Sequence, residues 1–170
     1  MNLLKNYKEE KNISTLAEQF VLYLNSGDLE STQEFFDKKF NYFDECPYYF
    51  ENEETIKVLQ QKTSYDQKDI VVNKNAGMAY VNFDVTHPDY IALMETHVDS
   101  IDIYSSDTLA ADKVFMEGVE DSNIEYVTES ATLNFKKVNN EWKIINDDYL
   151  FMFIFYGKTS ESSFEGITDN

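Results

Sequence analysis

Apolar residues in NISTLAEQFVLYLNSGD fall at Leu16, Phe20, Val21 and Leu24, intervals that line one face of a helix. Thr15 and Glu18 stand at capping-box spacing and Ser26-Gly27 supplies a stop, so the pattern predicts a helix over about 15–25. LESTQEFFDKKF predicts a shorter second helix with Leu29, Phe35 and Phe36 on its apolar side. NEETIKVLQQKTS predicts a third, capped by Asn52, with Glu53 and Glu54 placed favourably in its first turn. The period then drops to two. In MAYVNFDVT, Ala79, Val81, Phe83 and Val85 alternate with polar residues, the signature of a half-buried strand, and KDIVV before the NKNAG turn gives it a short partner.

A second hairpin follows downstream: EYVTESATLNFKKV, a turn at Asn139-Asn140, then EWKII, because paired asparagines accept the positive φ of tight hairpin turns. Two helical patterns lie between the hairpins. The first carries Ile91, Met94, Val98 and Ile101 on one stripe, the second Ala111, Val114, Phe115 and Val119. DDYLFMFIFYG is too short for a bilayer span of about 20 residues, and its Asp cap and Gly157 stop predict a short buried helix. The expected organisation is a flexible leader over 1–12, one α+β domain over 13–157 and a flexible tail over 158–170. Its N-terminal helices pack on a curved antiparallel sheet of about four strands, a cone, with a short C-terminal apolar helix.

Charge narrows the function classes. The formal net charge is −18, and all 14 basic residues are lysines. Nucleic acid and anionic membrane surfaces are disfavoured by repulsion, and acidic ligands lose the bidentate guanidinium fork. A basic partner protein met by electrostatic steering fits this charge. No 18-residue apolar run occurs, so no membrane span is expected, and no signal-peptide core is visible. Cys46 has no second cysteine to pair with and reads as a small buried hydrophobe. No glycine-rich phosphate loop, CxxC pair, EF-hand loop or GxSxG elbow is present, and no cofactor is expected.

The two histidines, His87 and His97, are ten positions apart, about 15 Å along a helix and on different faces, so they do not share a metal ion. No metal site is expected. In Thr86-His87-Pro88-Asp89, Thr86 or His87 can cap a helix, Pro88 fits an early helical position and Asp89 meets the dipole. His97, near an apolar stripe, is a partly buried hydrogen-bonded histidine or a pocket acid–base group. Glu129 shares a face with Val127, Ala131, Leu133 and Phe135, where a carboxylate is costly unless a bulge turns it outward or it sits at a pocket rim.

The other face of the same strands carries Tyr80, Asn82, Asp84, Tyr126, Thr128, Ser130, Thr132 and Asn134. It faces water or pairs with a second copy as a homodimer. NYFDECPYYFEN, residues 41–52, reads as a loop whose rings plug the core, or as a recognition loop.

The order of helices, hairpin, helices, hairpin and terminal helix resembles the nuclear transport factor 2-like fold, also called SnoaL-like or ketosteroid-isomerase-like. VNFDVTHPDYIALM and ATLNFKKVNNEWKIINDDYLFMFIFYG in particular resemble uncharacterised bacterial domains of this fold, often found in exported lipoproteins. The resemblance covers about 13–157 and implies helices closing over a curved sheet, in an extracytoplasmic setting slightly favoured over a cytoplasmic one. The expected function is a non-catalytic module for a protein partner or a small apolar ligand. Tyr23, Tyr90, His97, Tyr126, Glu129 and Trp142 are its candidate binding residues. Two alternatives are an acidic intracellular immunity or inhibitor protein for a basic partner, and a cofactor-free isomerase or lyase using His97 and Glu129 as acid–base groups.

Overall fold

The computed structural model describes residues 2–42, 44, 50, 52–90, 92–93, 110–121 and 123–155, the side chains of 2–6 and 110–111 excepted. Helix α1 spans Asn2–Ser26, a 3-10 turn Ser31–Phe35 and α2 Glu53–Gln61. Strands β1 (Ser64–Asn73) and β2 (Met78–Pro88) precede α3 (Ala110–Gly118), and β3 (Tyr126–Val138), β4 (Glu141–Ile144) and α4 (Asp148–Phe155) complete the order. The strands form one curved antiparallel sheet in the order β1-β2-β3-β4, the α+β arrangement that the alternating and helical periods predict. His97, Cys46, most of the 41–52 loop, the Met94, Val98 and Ile101 stripe and the 158–170 tail lie outside the described residues.

Helix α1 starts well before the Thr15 capping box, at Asn2, so residues 2–14 are part of the same helix. The reason is the buried stripe. Ile13, Ala17, Phe20 and Leu24 are all fully buried, which carries the apolar face a turn further upstream than Leu16 suggests. Ser14 spends its hydroxyl on Glu18, 3.3 Å away, as an ordinary mid-helix pair. The helix ends as expected at Gly27, whose φ of +75° is free of steric cost only in glycine.

LESTQEFF makes a single 3-10 turn instead of an α-helix. Two contacts pull the chain away from helical geometry. Gln33 donates from Nε2 to the Phe40 carbonyl and accepts from the Phe40 N–H, and Phe36 turns extended to bridge Ile144.

Strands β2 and β3 pair without interruption from Met78↔Lys136 to Pro88↔Tyr126. Thr86, His87 and Pro88 therefore belong to the strand, and the helix cap falls at Asp89, two residues after His87 and three after Thr86. Asp89 Oδ1 accepts from the Ala92 N–H at 3.0 Å, which opens a helical turn at Tyr90. On the other side, β1 is longer than KDIVV suggests and carries one extra residue between Gln67 and Ile70, a bulge that bends this edge of the sheet. The Asn139-Asn140 turn has φ of 50° and 70°, as its sequence predicts.

The inner sheet face and the helices meet at Phe153 of α4. Its ring stacks on Tyr65 of β1 at 4.8 Å, meets Phe83 of β2 edge-on at 5.1 Å and lies 6.2 Å from Phe20 of α1. Ring contact then continues through Phe36, Phe40 and Tyr42. Four polar side chains within this interior are paired: Tyr65 Oη donates to Gln60 Oε1, Gln60 Nε2 donates to the Ile154 carbonyl, and Tyr42 shares a hydrogen bond with Thr32. Asp147 caps α4 as its Asp start predicts, accepting from the Leu150 N–H.

Asp37 locks the segment after the 3-10 turn to the second hairpin. Its side chain is 3% exposed, pairs with Lys136 at 2.6 Å and accepts from the Asn146 N–H at 2.7 Å. Burial pushes its carboxyl up, but the Lys136 ammonium and the Asn146 N–H outweigh burial and hold it below the ordinary carboxylate range. Asp37→Ala should cost about 3 kcal/mol, the low end for a broken buried pair because Lys136 is partly exposed. Asp37→Asn, which keeps an acceptor for Asn146, should cost less. Urea unfolding midpoints of the two variants against wild type check this order.

Candidate functional site

Three regions hold side chains capable of recognition: the inner sheet face at the β2–β3 end, the outer sheet face, and a cleft beside the 3-10 turn. At the inner end, alternation places Val85, His87, Val127 and Glu129 on one face, with Val85 opposite Glu129 and His87 opposite Val127. The ladder is regular here. No bulge turns Glu129 away, so it stays on the inner face, half-buried at the end of the apolar run Ala131, Leu133 and Phe135.

His87 is 9% exposed. Its Nδ1 lies 2.9 Å from the Pro88 carbonyl, which can only accept, so Nδ1 carries a hydrogen, and in the neutral ring Nε2 is the acceptor. That Nε2 is buried without a hydrogen-bond partner. The sequence reads His87 as a cap; the strand continues through it and turns its ring inward. Beyond it, Tyr90 packs edge-on to Phe50 at 5.6 Å, and Phe50 packs on Phe115 of α3 at 5.2 Å. Asp112, also buried, accepts from the Asn52 N–H at the start of α2. Gly118 lets α3 approach closely, since a Cβ there would lie 2.7 Å from Leu93.

The outer face carries paired polar groups and exposed rings. Thr86 and Thr128, directly opposite in the ladder, share a hydrogen bond of 2.7 Å, and Thr132 Oγ1 donates to Asn82 Oδ1 at 2.8 Å across the next such pair but one. Tyr80 and Tyr126 stand exposed on this face, near opposite ends of the β2–β3 ladder.

The cleft is a wide-mouthed depression of about 560 Å³ lined by Glu30, Gln33, Glu34, Phe36, Asp37, Lys38 and Lys39. Gln33 and Asp37 are already committed to Phe40, Lys136 and Asn146, so its built polar groups hold the fold together. Among the described residues no cluster of three or more His, Cys, Asp or Glu is placed to hold a metal ion.

Of the six predicted binding residues, the five that are described, Tyr23, Tyr90, Tyr126, Glu129 and Trp142, lie on separate parts of the surface and core. Tyr23 lies on the exposed side of α1 against Phe35, and Tyr126 is on the outer sheet face. Tyr90 and Glu129 share one end of the sheet, and His97 lies outside the described residues. Trp142 is not available to a ligand. It is buried, its Nε1–H donates to Glu9 Oε2 at 2.8 Å, and Lys137 lies 4.9 Å over its ring while pairing with Glu9 Oε1 at 2.9 Å. Glu9 sits one turn before Ile13, so it shares the stripe that docks α1. This i−4 position is the sequence signal that could have found it.

The Glu9 clamp has a pH signature. Hydrogen bonds from Lys137 and Trp142 hold its carboxyl below its ordinary value of 4.5. A group depressed in the folded state stabilises fully above its unfolded pKa, and the contribution fades as pH falls through the folded value. Trp142 fluorescence should therefore change in a step below pH 4.5 as the start of α1 loosens. Glu9→Gln should remove that step and lower stability at pH 7 by about 1 kcal/mol.

Comparison with protein-family models, with curated proteins and with solved structures returned no match, so the functional reading rests on the geometry of these surfaces.

Proposed function

We propose that this chain is a non-catalytic interaction domain of nuclear transport factor 2-like architecture, whose working part is its surface and not an internal pocket. The observation that supports it is the inner side of the sheet, where Phe153, Phe20, Tyr65, Phe83, Phe36 and Phe40 pack ring to ring. Side chains at interior density leave no room for a ligand of comparable size where they meet. Their polar neighbours are spoken for as well: Tyr65, Gln60, Tyr42 and Thr32 bond to one another or to backbone.

A second reading has its own observation. His87 Nε2 is buried on the inner face with no hydrogen-bond partner among the described residues, two ladder positions from the inward carboxylate of Glu129. An acceptor nitrogen and a carboxylate on one apolar face are the groups a cofactor-free proton transfer uses. That reading requires a cavity at the β2–β3 end that admits an apolar molecule.

One titration separates the two. Under the surface reading, wild-type protein followed by methyl NMR shows no saturable shift on addition of benzene. Phe153→Ala, which opens a ring-sized void at a cost of about 3–5 kcal/mol, is the positive control and does show one. Phe153→Leu serves if the alanine variant does not fold. Saturable one-to-one shifts in wild type, confined to the methyls of Val85 and Val127 beside His87 and Glu129, would instead establish the pocket.

A further inference from the structure

Negative charge collects at the C-terminal end of α1 and is left unanswered there. The helix carries Lys5, Lys8 and Lys11 in its first half and, from Ile13 to Ser26, no cation at all. That order runs against the macrodipole, which puts partial negative charge at the carbonyl end and favours lysine or arginine in the last turn, where this helix has neither. Asp28, Glu30 and Glu34 follow directly, and Glu18 lies one turn before Leu22 on the same side of the helix. Glu18, Glu30 and Glu34 form no ion pair among the described residues. Lys57, whose stem approaches Gly27 at this end, is spent on Glu53 at 3.0 Å, and Lys143 reaches the backbone carbonyl of Glu34, not its carboxylate.

The same corner exposes apolar area. Leu22, 69% exposed, points away from the buried stripe of Ile13, Ala17, Phe20 and Leu24. Tyr23 beside it is partly exposed and sets its ring 5.8 Å from that of Phe35. These three side chains make a ridge that runs into the cleft, because Phe35 is flanked in the chain by Glu34 and Phe36, which line the cleft with Glu30, Lys38 and Lys39. Apolar side chains left in water among unpaired carboxylates, at the negative end of a helix, complement a segment of the opposite character: cationic, with an apolar anchor.

Resting on the surface reading above, we propose that this corner binds a basic amphipathic segment of a partner protein. An apolar side chain of the partner seats on Leu22, Tyr23 and Phe35, and its lysine or arginine side chains reach Glu18, Glu30, Glu34 and the carbonyl end of α1. A second copy is the wrong occupant, since two chains of net charge −18 would bring acid to acid. Residues 158–170, with three acids against one lysine, are wrong for the same reason. The corner also differs from acidic surface elsewhere, where lysines of the chain itself answer the carboxylates, as Lys68 answers Asp84 and Lys137 answers Glu9.

The probe is a fluorescein-labelled synthetic helix of about four turns, leucine on one stripe and arginine elsewhere, titrated with the full chain by fluorescence anisotropy. The expected result is saturable one-to-one binding that weakens as NaCl is added, because salt screens the attraction. Leu22→Lys should weaken binding at least ~10-fold with the circular dichroism spectrum unchanged, the side chain being exposed. Glu30→Gln with Glu34→Gln should weaken it about 10-fold. Glu120→Gln with Glu125→Gln, the same change in net charge placed between α3 and β3, should leave it within about twofold. No saturable binding up to ~1 mM overturns the proposal. Equal losses in the two double variants overturn it as well, since they mark diffuse attraction to an acidic body. So does a wild-type dimer that Leu22→Lys dissociates, which would give the corner to a second copy. Each of these failures leaves the surface reading standing, since that reading falls only to benzene uptake by wild type.

Discussion

Phe153 touches a ring from α1, from β1 and from β2, and no other side chain in the described structure gathers those three elements by ring contact. It arrives last in sequence, on α4, after both hairpins. The sheet's inner face is thus completed by a residue some 70 positions downstream of its β2 partner Phe83, which makes the fold dependent on long-range closure. The curvature of the sheet serves this closure. The bulge after Gln67 bends β1, and Tyr65, two residues before it, stacks on the Phe153 ring.

How far the sequence foretells this arrangement depends on whether the deciding contact is local. Alternation over 79–85 and 127–135 reads directly as two inward faces, and the structure keeps both in phase with each other across the whole ladder. The Asn139-Asn140 turn, the Asn52 cap and the Asp147 cap are equally local and equally legible. Partners distant in sequence decide the remainder. Glu9 and Trp142 are 133 positions apart, so the spacing of Glu9 before Ile13 marks it as a docking-stripe residue without naming the indole that holds it. The 3-10 turn at 31–35 departs from its helical pattern for the same reason, since the bridge to Ile144 comes from the far end of the chain. His87 is the sharpest case. Thr-His-Pro-Asp has the composition of a helix start, yet pairing with Val127 carries the strand through it and moves the cap to Asp89.

Charge and burial divide the molecule into two kinds of surface. Lysines are placed where they answer a particular carboxylate: Lys136 meets Asp37, Lys137 meets Glu9, Lys68 meets Asp84 and Lys57 meets Glu53. With few cations in the chain, those spent inside the fold leave the excess of acid elsewhere, and the hydroxyl-rich sheet face stands out against it. The candidate residues read from sequence by type alone, Tyr23, Trp142 and Tyr126, scatter because an aromatic ring says nothing of which side of its element it will occupy.

The two outer edges of the sheet are closed by different means. On β4 the strand is four residues long, and the passing chain at Phe36 and Asp37 takes up Ile144, with the Asp37 N–H donating to its carbonyl. On β1 the bulge breaks the repeat of backbone groups, and Asp66, Lys68 and Asp69 crowd its outward side. An incoming strand would find neither a straight row of donors and acceptors nor an uncharged border. Lateral growth into a continuous ribbon, the common hazard of an open sheet rich in valine, tyrosine and threonine, is therefore obstructed at both ends. A protein so guarded can tolerate high local concentration without polymerising through its strands.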